Sequence, residues 1–222
     1  MYWYEYLLFM APAYLLVLII QISLKVTVSK YSSVQSSICG RDSARLVLAN
    51  GGVTGVDVGR VKGELTDYYD PSRSIISLSD STYEKYTLTA VGVAAHEAGH
   101  AIQYNENYGP AKLRQAAVNV CNIGSRFSVP LIIAGYILSF EPLVIAGIVC
   151  FMFVVAFQLI TLPVEFNASR RAVKILSESG RLSADEIKGI RRVLTAASLT
   201  YVGALAMSTM QLAYYISRFR RR

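Results

Sequence analysis

Between Leu7 and Leu24 the chain runs for eighteen consecutive residues without a charge. A helix of about that length crosses the hydrocarbon core of a bilayer, so the run predicts a membrane span and rules out an ordinary water-soluble domain for the amino-terminal end. No basic residue precedes it and no small-residue cleavage site follows, which predicts a retained anchor over 1–29 rather than a removed signal peptide. Two further apolar blocks, Phe127 to Phe140 and Leu143 to Val164, are split only by Glu141-Pro142, and predict a helical hairpin over 127–164 with that dipeptide as its tight turn. The first block is short, and borrows length from Asn119 to Arg126 with the Arg126 side chain reaching to the surface. A fourth block, Val193 to Ile216, is interrupted by Ser198, Thr200, Ser208, Thr209 and Gln211, and reads either as a membrane helix or as an interfacial one. These blocks hold the excess in a composition that is 53% hydrophobic.

The basic residues lie next to the spans. Lys25 and Lys30 follow the first, and Arg170, Arg171, Arg191 and Arg192 follow the third, so both segments are expected on the cytoplasmic side of a multi-pass cell-membrane protein. Four full crossings would put the C-terminal Arg218, Arg220, Arg221 and Arg222 on the opposite side from that bias, leaving the last helix open between crossing and not crossing. The net charge of +7 is explained by anionic lipid headgroups, and no nucleic-acid partner is expected.

The chemistry lies in V-A-A-H-E-A-G-H-A-I-Q, Val93 to Gln103, which contains both histidines of the chain, His96 and His100. The flanking residues from Leu88 to Tyr104 are rich in Ala, Val and Leu and predict a helix. Positions i and i+4 share one helix face, so both imidazoles can converge on one metal ion, and Glu97 sits beside them to act as a general base on a water. A catalytic zinc takes three protein ligands and keeps one exchangeable position; a structural zinc is closed by four, and Cys39, Cys121 and Cys150 are isolated. The third ligand must then be a carboxylate or thiolate on the same side of the membrane. The segment leaving the hairpin reads L-P-V-E-F-N-A-S-R-R-A, and Glu165 is its first charged residue. Pro163 is expected to start a new helix there, with Glu165, Ser169 and Ala172 on one face and Ser169 able to orient a ligating imidazole. An acidic residue at a helix N-terminus, favoured by the helix dipole alone, is the competing account of Glu165. Glu178 and Asp67 are the next candidate ligands.

The HEAGH segment, the apolar hairpin, L-P-V-E-F-N-A-S-R-R-A and the upstream L-T-D-Y-Y-D-P together resemble the YugP-like bacterial family of membrane zinc metallopeptidases, nearly end to end. The resemblance implies one Zn2+ per chain held by His96, His100 and Glu165, with Glu97 as catalytic base, the gluzincin arrangement. More distantly the order of elements is similar to HtpX-type membrane peptidases, which carry Asp where this chain has Ser169. Within the family the upstream motif commonly reads L-T-D-H-Y-D-P, and Tyr68 stands in place of its histidine.

The expected architecture is therefore a membrane α-helical protein of about four transmembrane helices with a small cytoplasmic α/β, zincin-like metallopeptidase unit over 30–126. A cytoplasmic helix over 165–192 brings the third ligand, and 193–222 forms the last membrane helix and basic tail. Within the unit, Gly40 to Ala49 predicts a helix, Val53 to Val61 a strand, and Leu65 to Pro71 a loop. Ser74 to Leu78 is β-prone, and Asp80 or Ser81 is expected to cap a helix leading to the HEAGH helix. Ile75, Ile76, Ser77 and Leu78 are the candidate edge for docking extended peptide, and Tyr68, Tyr69 and Arg171 the candidate oxyanion donors. The expected activity is zinc-dependent endoproteolysis of unfolded or membrane-associated polypeptide. The alternative from another class is a membrane scaffold or regulatory subunit whose zinc is structural or catalytically silent.

Overall fold

The computed structural model describes residues 3–220, so Met1, Tyr2 and the last two arginines, Arg221 and Arg222, lie outside the described residues. The elements run α1 (Trp3–Ser32), α2 (Gly40–Asn50), β1 (Asp57–Arg60), β2 (Tyr68–Asp70), β3 (Ile75–Leu78), α3 (Leu88–Asn105), α4 (Gly109–Ile137), α5 (Glu141–Glu178) and α6 (Ala184–Arg220). Four of these helices, α1, α4, α5 and α6, are long and apolar enough to cross a membrane. Contacts divide the chain into two compact units, one of Met1–Ile20, Lys112–Pro163 and Thr200–Arg222, the other of Gln21–Ala111 and Val164–Leu199.

The second unit contains α2, the sheet and α3, with the segments of α1, α5 and α6 that fall within its bounds. Its core forms around α3, where Val91, Ala94, Ala95, Ala98 and Ile102 are buried against Val47, Ile76, Leu78, Ala172, Leu176 and Ile190. Small side chains on α3 let neighbouring elements close in on it, which is what the alanine-rich sequence allows. The helix is capped by Thr87, whose hydroxyl accepts a hydrogen bond from the Ala90 N–H. Asp80 and Ser81 therefore cap no helix: they lie in turns, with the Asp80 carboxylate taken by Arg60 and the Gly63 N–H.

The three strands are ordered β1-β3-β2, with β3 parallel to β1 and antiparallel to β2. The strand expected over Val53 to Val61 is confined to Asp57–Arg60, and part of the expected loop Leu65 to Pro71 is the strand β2. Tyr68 and Tyr69 pair with Ser77 and Ile76, a long-range pairing that outweighs the turn-rich local sequence. The consequence for Ile75, Ile76, Ser77 and Leu78 is a correction. As the middle strand, β3 is already paired on both sides and offers no edge for an added peptide strand.

The first unit is helical. Its hairpin turns at Leu138 to Phe140, with Ser139 in the left-handed region at φ 52°, and not at Glu141-Pro142, which open α5. In a first helical turn the backbone N–H has no intrahelical partner, so a proline there costs nothing. The hairpin's helices touch closely at Gly147, where a Cβ would meet the Ser128 carbonyl oxygen at 2.7 Å. Leu8, Ile133, Ile137, Phe140 and Leu159 are exposed apolar side chains of this unit, the pattern of lipid-facing residues. Pro163 likewise begins no new helix, since α5 continues through it to Glu178. Apolar membrane-length helices tolerate a single internal proline, because one lost backbone bond leaves the helix on either side intact.

Candidate metal centre

His96 and His100 project from one face of α3 toward α5. The reason α5 lies so near is Gly99, between them in the sequence: a Cβ at that position would sit 2.5 Å from the Ala168 carbonyl oxygen and 3.2 Å from its Cα. The two backbones are in contact there, and Glu165, about one turn before Ala168, faces both imidazoles. Its Oε2 lies 3.2 Å from His96 Nε2 and 3.7 Å from His100 Nε2. Among the described residues His96, His100 and Glu165 form the group of metal-ligating side chains whose donor atoms converge.

The donor set fits zinc. Ligand atoms held about 2.0–2.1 Å from a tetrahedral ion lie roughly 3.3 Å apart, close to the separations found here, and two imidazoles with one carboxylate make a three-ligand site with a position left open. Both rings are also held from behind. Gln103, fully buried, donates its Nε2–H groups to the Val164 carbonyl and to Asn167 Oδ1, at 2.8 and 2.9 Å. Its Oε1 is left to accept, so His100 Nδ1, 3.0 Å away, carries the proton, and in the neutral ring Nε2 offers its lone pair to the metal position. His96 Nδ1 lies 3.0 Å from Ser169 Oγ, which in turn is 3.3 Å from Ser198 Oγ on α6. With His96 Nδ1–H donating to Ser169, its Nε2 is free on the same side.

Burial opposes a proton on His100, but the Glu165 hydrogen bond and the Glu97 and Glu165 charges outweigh it, and its pKa is raised. Glu165 is 1% exposed, a buried carboxylate that an ordinary helix-terminal residue would not be. It also sits deep inside α5, not at a helix start, so the dipole account of it falls away. Glu97 is half-buried, and its carboxylate makes no hydrogen bond or ion pair among the described residues.

The remaining sequence candidates are placed elsewhere or engaged otherwise. Asp67 accepts hydrogen bonds from the Ser79 N–H and hydroxyl, and Glu178 lies 3.9 Å from Lys174. Tyr68 is exposed on β2, while Tyr69 packs edge-on against Tyr104 of α3. Arg171 is tied to Asn167 Oδ1 and Glu106, at 2.7 and 2.6 Å, and lies over the Tyr108 ring. Gln103, Asn167 and Ser198 escaped the sequence reading. For Gln103 a signal existed, since a glutamine three residues after His100 on an otherwise apolar face must find buried partners; for Asn167 and Ser198 only packing supplies one.

The family described as "Putative neutral zinc metallopeptidase" matches residues 6–220 of the chain. A protein of Bacillus subtilis (strain 168) described as "Putative membrane protease YugP" is 41% identical over 201 residues, covering 90% of this chain and 89% of that protein. No solved structure matches. A match of this extent, on a chain whose two histidines and a buried carboxylate meet at zinc-ligand spacing, shows that the chain belongs to the neutral zinc metallopeptidase family, with Zn2+ as its metal.

Proposed function

We propose that the protein is an integral membrane zinc endopeptidase in which His96, His100 and Glu165 hold the metal and Glu97 is the general base. The observation that carries this is the convergence of two Nε2 lone pairs and one buried carboxylate, with both Nδ1 atoms already hydrogen-bonded behind them. Bound zinc supplies Lewis acidity, lowering the pKa of a water toward 7 and polarising the scissile carbonyl. The Glu97 carboxylate accepts a proton from the attacking water and returns it to the leaving amine. Gln103 and Ser169 keep the imidazoles in the tautomer and orientation that ligation needs.

Extended peptide is accepted at the open side of β2, the sheet edge packed on α3 through Tyr69 and Tyr104, which stands four residues beyond His100. Only unfolded or loop segments can lie extended there, so these are the substrate class. The positive charges at Lys25, Lys30, Arg170, Arg171, Arg191 and Arg192 support a site facing the cytoplasm.

The test is Glu97→Gln beside Glu165→Ala in purified full-length protein. Glu97→Gln keeps near-stoichiometric zinc and loses hydrolysis of an unfolded polypeptide, while Glu165→Ala loses zinc. Undiminished turnover by Glu97→Gln excludes the base assignment, and full zinc retention by Glu165→Ala excludes the ligand set. A wild-type protein that binds zinc and cleaves nothing leaves the scaffold reading in its place.

A further inference from the structure

A cavity of about 420 Å3 lies between α1 and α6, far in sequence from the metal ligands and unused by the mechanism above. On α1 its lining falls on one helical stripe that runs from Ser23 and Val26 through Thr27 to Lys30 and Tyr31. On α6 the lining stripe runs the other way, from Arg191 and Arg192 through Thr195 to Ala196 and Leu199. The C-terminal end of α1 meets the start of α6, where Arg192 Nη1 donates to the Tyr31 hydroxyl at 3.1 Å. Both helices therefore place cations at one end of the cavity and a threonine hydroxyl about one turn further along; beside and beyond the threonines lie Val26 on α1 and Ala196 and Leu199 on α6, with Ser23 closing the α1 stripe.

Lys30, Arg191 and Arg192 gather at the polar end, and none of the ten lining residues is acidic. Two of the cations are positioned rather than loose: Arg192 is held by the Tyr31 hydroxyl, and Lys30 Nζ lies 5.7 Å from the centre of the same ring. Away from the cations Val26 is 62% exposed and Leu199 36%, apolar surface that water covers poorly. Both walls belong to helices long and apolar enough to cross a membrane. A ligand matching this order has an anionic head, a hydrogen-bonding neck and a hydrocarbon tail.

We infer that this cavity seats one anionic phospholipid, its phosphate on Lys30, Arg191 and Arg192, its glycerol region beside Thr27 and Thr195, and an acyl chain along Val26, Ala196 and Leu199. A free phosphate shares the headgroup chemistry but leaves the apolar end unused, and a zwitterionic lipid fills the apolar end but presents its own cation to the arginines. The inference rests on the placement of α1 and α6 in a bilayer, and the test is made in detergent so that lipid retention is read apart from insertion.

Full-length, zinc-loaded protein in mild detergent is titrated with phosphatidylglycerol or phosphatidylcholine of identical chains, and retained lipid is counted by native mass spectrometry. The expected result is one phosphatidylglycerol held in preference to phosphatidylcholine. At the ordinary strength of a basic side chain near an anionic headgroup, Arg191→Gln lowers retention about fivefold, and Lys30→Gln, Arg191→Gln and Arg192→Gln together about a hundredfold. Lys62→Gln with Arg73→Gln, exposed cations away from the cavity, leaves retention unchanged. Thermal unfolding of each variant verifies that it is folded, and the single Arg191→Gln carries the test if the triple variant is not. Equal retention of the two lipids, undiminished retention in folded Arg191→Gln, equal loss in the Lys62 and Arg73 control, or displacement of the lipid by millimolar inorganic phosphate each overturns the assignment.

Discussion

If the metal site is assembled by close contact of α3 and α5, Gly99→Ala should open it. The added methyl would stand 2.5 Å from the Ala168 carbonyl oxygen, against an ordinary C···O contact of about 3.3 Å, so the helices must part by roughly 0.8 Å. Because that oxygen belongs to the backbone, no side-chain rotation relieves the overlap. Two effects then oppose each other in stability: overpacking costs about 1–3 kcal/mol, while replacing a helical glycine by alanine returns about 1 kcal/mol. The melting temperature of the metal-free protein should fall only modestly. Metal binding is the sharper reading, since helix propensity does nothing to bring Glu165 back. Zinc ligands tolerate about 0.2 Å of displacement, several times less than the shift required, and a loss of at least about tenfold in zinc affinity is expected. The assay is zinc retained against a graded series of chelators, with Gly92→Ala on the same helix as control. There a Cβ meets Ile190 Cγ2 at 3.4 Å and Leu194 Cγ and Cδ2 at 3.7 and 3.8 Å, all ordinary contacts, so stability should hold or rise and zinc should stay. A Gly99→Ala protein that keeps wild-type zinc affinity refutes the argument that this contact sets the ligand geometry.

Gln103→Leu removes the acceptor behind His100 and strands Val164 and Asn167 partners in a buried site, so zinc affinity should fall about 10–100-fold. Competition with a fluorescent chelator reads it, and unchanged affinity would deny Gln103 an orienting role. Ile76→Pro, in a fully buried position of the middle strand, should prevent folding of the domain by about 3 kcal/mol or more rather than disturb substrate docking alone. A folded Ile76→Pro protein, judged by its thermal transition, would contradict the strand order. With the three native cysteines replaced, single cysteines at Lys62 and Ser177 should be protected from an impermeant thiol reagent in intact cells; ready labelling at either inverts the proposed orientation.

Local periodicity was enough for the histidines. His96, Glu97 and His100 sit within one helix, and spacing along a helix decides which side chains share a face whatever packs around it. The membrane-length helices were legible for the same kind of reason, because an apolar run must be helical to satisfy its own backbone in lipid. Charge and position after the hairpin single out Glu165 in the sequence, yet local signals misplace it: the helix does not begin at Pro163, and the carboxylate is buried mid-helix. Its meeting with residues about seventy positions earlier depends on the Gly99 contact with Ala168, which joins elements that share no local signal. The same holds for β3. Its β-prone sequence marks a strand, but whether a strand is central or an edge is decided by which distant segments pair with it, and here β1 and β2 close both sides. Gln103 and Ser198 acquire meaning only once α5 is in place, since Val164 and Asn167 take the Gln103 amide hydrogens and so leave its oxygen for His100, and Ser169 links Ser198 to His96; a buried polar group's role is set by the partners that folding brings within hydrogen-bonding distance.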